Sequence, residues 1–220
     1  LEKAIKQAHR TGKTDMANEG VMMIGHVLRG STTGFVCGTR SNKLGAPEFG
    51  AFVEAPCGNG VHNGEHVIGL IYAIRVDDDP LVRQLILADN VTETTREDQR
   101  ITRMVPVDIS GNNVGFFSEG RPQQALPPRP PLSLAPVYIC DAEKVRDFCA
   151  RFDFFRLVLN TPEVPADELL AASLRLAADT IEDQAERRDF LVRAGRELAR
   201  LLNHDLVRLE SILNLIRPAA

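Results

Sequence analysis

The chain has 220 residues and a mass of 24.3 kDa, with 44% hydrophobic and 25% charged residues; such values exclude wholesale disorder and suit two small domains, each burying its own core. Its net charge of −4 and pI near 5.8 exclude a global attraction to a polyanion, so any DNA contact would have to be local and is expected to be weak. No apolar run approaches the roughly 18 residues of a membrane span and the start, Leu1-Glu2-Lys3-Ala4-Ile5-Lys6, lacks an apolar signal core, so the sequence predicts a cytoplasmic protein without membrane contact.

Residues 1–20 read as an N-terminal helix or extension: Leu1, Ala4, Ile5 and Ala8 recur at helical spacing before Thr11-Gly12-Lys13-Thr14 interrupts them. Residues 21–119 change to short β-rich runs punctuated by glycine, at 21–28, 34–38, 49–55, 66–76, 82–88, 101–109 and 114–117. The stretches 58–64 and 110–113 (Ser-Gly-Asn-Asn) supply residues that tolerate positive φ, so both are predicted to be tight turns between antiparallel strands of a small barrel. Asp77-Asp78-Asp79-Pro80 is predicted to end a strand in an exposed loop. Residues 120–136 hold nearly half of the 13 prolines and are predicted to be an extended, stiff linker. From 137 to 220 glycine nearly vanishes and the period becomes helical, around 142–159, 167–184 and 188–216, which predicts a helical C-terminal domain packed as a bundle. The fold class expected is therefore α+β, a small antiparallel β-barrel followed by a helical bundle.

Several features of the barrel region carry a resemblance. Ile24-Gly25-His26-Val27 forms an opening strand, Val67-Ile68-Gly69-Leu70-Ile71 follows a glycine-rich turn, Arg103-Met104-Val105-Pro106-Val107-Asp108 makes a further strand, and Pro-Pro-Arg-Pro-Pro at 127–131 precedes Val137-Tyr138. Over about residues 23–138, roughly half of the chain, this resembles the HAS barrel shared by HerA-type DNA translocases and the N-terminal region of ATP synthase subunits. The resemblance implies a barrel that helps build an oligomeric ring and a docking surface, with a homo-oligomer or a HerA-type ATPase as partner. It does not bring the motor: the only Gly-Lys-Thr, Gly12-Lys13-Thr14, has Gln7 where a phosphate-binding loop needs its first glycine.

The four cysteines, Cys37, Cys57, Cys140 and Cys149, contain no Cys-x-x-Cys pair and read as reduced thiols. The densest set of possible metal ligands is Cys57, His62, Glu65 and His66, but the glycines around them would not fix ligand directions, and a hairpin loop is the leading reading. Asp77, Asp78 and Asp79, with Asp89, read as a solvated surface, since consecutive carboxylates in a strand cannot face one site. No catalytic residue, metal or cofactor is expected. Phe148, Phe152, Phe154 and Phe155 are predicted to lie in the core. Two surfaces are the candidate contact sites. A basic stripe of Arg193, Arg196, Arg200, His204 and Arg208 recurs every three or four residues along one helix face; it is either an ordinary solvated face balanced by Glu186, Asp189, Glu197 and Glu210 or a contact for nucleic acid or an acidic partner. A barrel edge strand, carried by Val67, Ile68, Leu70 and Ile71, would pair with a neighbouring subunit. The function expected is that of a non-catalytic assembly and docking protein, the alternative being a nucleic-acid-binding module with an OB-like barrel.

Overall fold

A computed structural model of the chain describes residues 22–40, 47–57, 65–76 and 106–217, with single positions at 87, 92 and 94 between them. The expected N-terminal helix, the Gly12-Lys13-Thr14 site, the turn at 58–64 with His62, the aspartates 77–79 and 89, and the strand expected at 82–88 apart from Leu87, which is helical, lie outside these residues.

Seven strands, β1 (Met23–Gly30), β2 (Gly34–Arg40), β3 (Phe52–Pro56), β4 (His66–Val76), β5 (Pro106–Ser118), β6 (Arg121–Gln123) and β7 (Pro136–Ile139), form one antiparallel sheet in the order β2-β1-β7-β3-β4-β5-β6. A further pairing of β2 with β5, from Gly34↔Asn112 to Arg40↔Pro106, joins the ends and closes six of the strands into a barrel. β6 is a short flap on β5, reached through Glu119 and Gly120. Both have positive φ, as a two-residue hairpin turn matching the twist of the strands requires.

Alternation along the strands builds two cores. Ile24, Val27, Phe35, Cys37, Val53, Val67, Ile71, Val107, Ile109 and Val137 fill the barrel. Gly69 and Gly111 leave room there for the Phe35 ring, which stands 3.0 and 3.1 Å from where their Cβ atoms would be. Outward-facing Phe52, Ile68, Leu70, Val114 and Phe117 belong instead to a second core shared with the helices. The near-continuous apolar run of β4 follows from this, because both of its faces are buried. It also corrects the expectation of an edge strand: Val67, Ile68, Leu70 and Ile71 sit in the middle of the ring, paired with β3 on one side and β5 on the other, and offer no free backbone.

The 110–113 stretch is not a turn. β5 runs through it as part of a 13-residue strand, with one extra residue in β5, Val114, opposite Ile68/Gly69 and one in β4, Tyr72, between Ile71 and Ala73. Asn113 is buried and donates from Nδ2 to the carbonyls of Ser31 and Thr32 (both 3.1 Å), tying down the β1–β2 hairpin. The proline-rich segment lies on the barrel: Pro131 bridges to Cys57, and β7, directly after it, inserts between β1 and β3.

Five helices follow, α1 (Ala142–Phe148), α2 (Phe155–Leu159), α3 (Ala166–Asp179), α4 (Gln184–Leu201) and α5 (Leu206–Ile216). The fold is thus α+β with a closed barrel. Asp141, Asp183 and Asp205 cap α1, α4 and α5, accepting the backbone N–H of Lys144, Glu186 and Arg208 at 2.8, 2.8 and 3.0 Å. α3 packs between the barrel and the last two helices, burying Leu169, Leu170, Leu174 and Ala178 in one core with Phe190, Ala194 and Leu198 of α4 and Ile212 and Ile216 of α5. The four phenylalanines expected in the core are there. Phe52 of β3 meets Phe148 and Phe154 edge-on at 6.0 and 6.2 Å, and Phe154 meets Phe155 at 4.9 Å. No helix among the described residues is long and apolar enough to cross a membrane.

Two glycines let helices and barrel approach. A Cβ on Gly115 would lie 2.7 Å from the Phe148 ring, and one on Gly50 would lie 2.6 Å from Ala172 Cβ and 2.9 Å from the α3 backbone. Gly50 also has φ +87°, so alanine there meets steric and backbone penalties together. Gly50→Ala is expected to destabilise the protein by about 2–4 kcal/mol, read as a lowered denaturation midpoint.

Candidate functional site

Three groups of residues are candidates for function, and the basic stripe is altered most by the fold. The expected single helix over 188–216 is broken at 202–205, where Asp205 caps a new helix. His204 falls in that turn and Arg208 on α5, so the five residues do not share one helix face. Three arginines are also committed internally. Arg193 Nε lies 3.2 Å from Asp189 Oδ2, with its guanidinium 5.8 and 5.9 Å from the rings of Phe152 and Phe190. Arg200 pairs with Glu197. Arg208 donates at 2.7 Å to Asp167 on α3, locking α5 to it. Arg196 and His204 are exposed.

The second group surrounds Glu54, the one charged residue among those described that is fully buried, with 3% of its surface exposed. Lys144 of α1 donates to its Oε1. His66 Nδ1, from β4, stands 3.2 Å from Oε2, an ion-pair distance at which neither atom completes a well-aligned hydrogen bond. Burial works to raise the Glu54 pKa, but the close contact of His66 and the hydrogen bond and charge of Lys144 outweigh it and hold the carboxyl below its ordinary value. His66, expected at a possible metal site, therefore serves Glu54. Cys57 Sγ, from the same set, is 4.0 Å from Glu65 Oε2. Among the described residues no cluster of histidine, cysteine and carboxylate could hold a metal ion. All four cysteines are free and buried, and burial raises every thiol, that of Cys37 to about 12, which keeps them protonated at neutral pH.

The third group went unread in the sequence. The helices cover the outer face of β3, β4 and β5, whereas the outer face of β1, opposite in the ring, carries Leu28 at 51% exposure, flanked by Leu132 at 48% and Leu134 at 77%. These leucines are neighbours: Leu134 N–H donates to Val27 O (2.7 Å) and Val27 N–H to Ala135 O (2.8 Å). Residues 132–135 close a turn, Ala135 N–H to Leu132 O at 3.0 Å, and Leu134 occupies its left-handed position with φ +67°, where glycine or asparagine is the ordinary choice. The available signal was Leu-Ser-Leu inside a proline-rich run. Also unread was Gln124, whose amide donates to the carbonyls of Phe148 and Arg151 and accepts from Phe154 N–H, stapling the α1–α2 connection to the barrel.

No protein-family model matches the chain, and comparison with curated proteins finds no match.

The ion-pair cluster has a pH signature. With its folded pKa lowered, Glu54 contributes stability that is present above the unfolded carboxylate pKa and lost as pH falls through the folded one. Lys144→Met removes the strongest donor and leaves a buried carboxylate short of a cation, a loss of about 1–3 kcal/mol at pH 7. The loss should shrink near pH 4, where the variant can protonate Glu54. Equal destabilisation at both pH values would show that Glu54 is not the linked group.

Proposed function

We propose that the protein is an assembly module of the HAS-barrel kind, whose uncovered face around Leu28, Leu132 and Leu134 docks a second copy of this chain. The observation that carries the reading is Leu134. A leucine held at positive φ costs about 1–2 kcal/mol of local strain, and its side chain, almost wholly in water, returns nothing to this fold. A contact that buries it would repay that cost. Two further features support the reading. The barrel is closed and antiparallel with six strands in its ring, an architecture compatible with the HAS barrel, and closure removes the backbone edges through which a sheet would otherwise recruit a partner. Docking on the ring strands must then use side chains, and the β1 face has three leucines to offer, with the five helices standing on the other side as a separate surface. A HerA-type motor chain is the hetero-partner that the same face would take.

Light scattering across a concentration series tests the proposal. The wild-type chain should populate a discrete oligomer. Leu134→Gly should weaken it by roughly tenfold or more, since burial of a leucine side chain contributes about 1.5–3 kcal/mol. Its melting temperature should stay close to wild type, because relief of the left-handed strain offsets the entropy that glycine adds to the unfolded chain. A wild-type monomer at every concentration, or an oligomer indifferent to Leu134→Gly and Leu132→Ser, would overturn the reading.

A further inference from the structure

A groove on the helical half, separate from the leucine face, has a lining suited to a basic occupant. It opens between α1, the loop after α3 and the first turns of α4, and encloses about 990 Å³. Its floor is apolar: Cys149, Ala177 and Phe190 are buried beneath it and Ile181 is half-buried at its side. Four carboxylates, Glu182, Asp183, Glu186 and Asp189, line it against two guanidiniums, those of Arg146 and Arg193, so the lining is acidic on balance. Asp183 and Glu186 suit the start of α4, but Glu182 and Asp189 stand outside its first turn. Asp189 holds Arg193, and Arg146 donates to Thr180 O at 2.9 Å. Glu182 and Glu186 have no cation among the described residues.

The chain contains a segment of matching character. Residues 1–10, outside the described residues, read Leu-Glu-Lys-Ala-Ile-Lys-Gln-Ala-His-Arg. Leu1, Ala4, Ile5 and Ala8 recur at helical spacing, and Lys3, Lys6 and Arg10 recur at intervals of three and four, with Glu2 the single acid. A helix of this length is about 12–15 Å long and about 10 Å across, the scale of the groove. The connection is long enough. Met22 O accepts the Ile139 N–H at 2.9 Å, three residues before α1 begins, so Met22 lies beside the helix that walls the groove. Extended chain and one short helix place Cys149 no more than about 25 Å from Met22, and residues 11–21 can span roughly 36 Å. The leucine face is a poorer seat for a basic segment, because exposed Arg29 follows Leu28 and exposed Arg129 precedes Leu132 by three residues.

We propose that residues 1–10 seat in this groove of their own chain, with Ile5 on the apolar floor and Lys3, Lys6 and Arg10 along the row of Asp189, Glu186 and Glu182. From Glu182 the acids recur at intervals of four and three, the reverse of the order in the basic set, so an antiparallel course along α4 brings the two into step. Seated there, the segment straps the helices to the strand that opens the barrel.

Carbodiimide cross-linking of the full chain, which joins a lysine amine directly to a carboxylate in contact with it, tests the proposal. Mass mapping should find Lys3 or Lys6 joined to Glu182, Glu186 or Asp189. Ile5→Gln and Ala185→Arg leave those lysines and carboxylates in place. Each should lower the yield of the links about tenfold, the first by removing the apolar anchor, the second by placing a bulky cation at an exposed position in the groove. Melting curves check that both variants fold. Absence of these links in the wild-type chain, lysines joined mainly to other carboxylates, links that join isotopically labelled to unlabelled chains, or yields indifferent to both substitutions would overturn the proposal.

Discussion

The pairing of β2 with β5 governs the rest of the molecule. Without it the sheet is an open ribbon with β2 at one end, and both faces of every strand must find cover from elsewhere. With Gly34↔Asn112 through Arg40↔Pro106 in place, the inward faces cover one another around Phe35, and only the outward faces remain to be managed. Closure has a cost in loop entropy, because it joins segments some seventy residues apart in sequence, but that cost grows only slowly with loop length. The interior gained includes Phe35, Ile71, Ile109 and Val137, enough apolar surface to hold the ring shut.

Once the barrel is closed its outside divides in two. On β3, β4 and β5 the outward residues are phenylalanine, isoleucine, leucine and valine, and the helices sit there, with Gly50 and Gly115 permitting backbone and ring to come within contact distance. Barrel and helices therefore share a core and do not meet merely at a hinge. Glu54 lies at this junction: its strand is part of the barrel, His66 is on the next strand, and Lys144 reaches over from α1. A buried carboxylate held between a lysine and a histidine from different elements adds little net stability, but it penalises any alternative seating of α1 in which the charge would be left alone.

Much of this was legible in the sequence, and the errors share a cause. Short β-rich runs with glycine between them announced a barrel, and the phenylalanines of 148–155 announced a core, because both signals are local. The edge assigned to Val67–Ile71 failed because sequence shows that a strand is apolar but not how many neighbours it has; an apolar run on both faces was the clue that β4 is central. Ser110-Gly111-Asn112-Asn113 had turn composition, yet Gly111 is there to admit Phe35 and Asn113 to hold a distant hairpin, requirements set by residues far away in the chain. The arginine spacing at 193–208 is helical throughout, and the break at 202–205 rests on Asp205, one cap among many aspartates. β7 was hidden because the prolines before it resemble a linker, although proline is admissible at the first residue of a strand.

What the chain does with its residual polarity and strain separates structural from functional features. Several buried polar groups that specify the fold find partners: Asn113 Nδ2 donates twice while its Oδ1 stays unpaired, Gln124 bonds three backbone groups, and Ser173 returns its hydroxyl to Leu170 O. Each lowers the free energy of this fold relative to others. Leu134 and Asn112 do the reverse, the first through a strained backbone with an apolar side chain in water, the second through an amide donor buried without an acceptor. Neither is repaired by the described residues around it: glycine at 134 would relieve the backbone strain only at the cost of a more flexible unfolded chain, and the Asn112 donor stays unpaired. In the docking proposed above, burial of the Leu134 side chain against a second copy is the term that would offset its strained backbone.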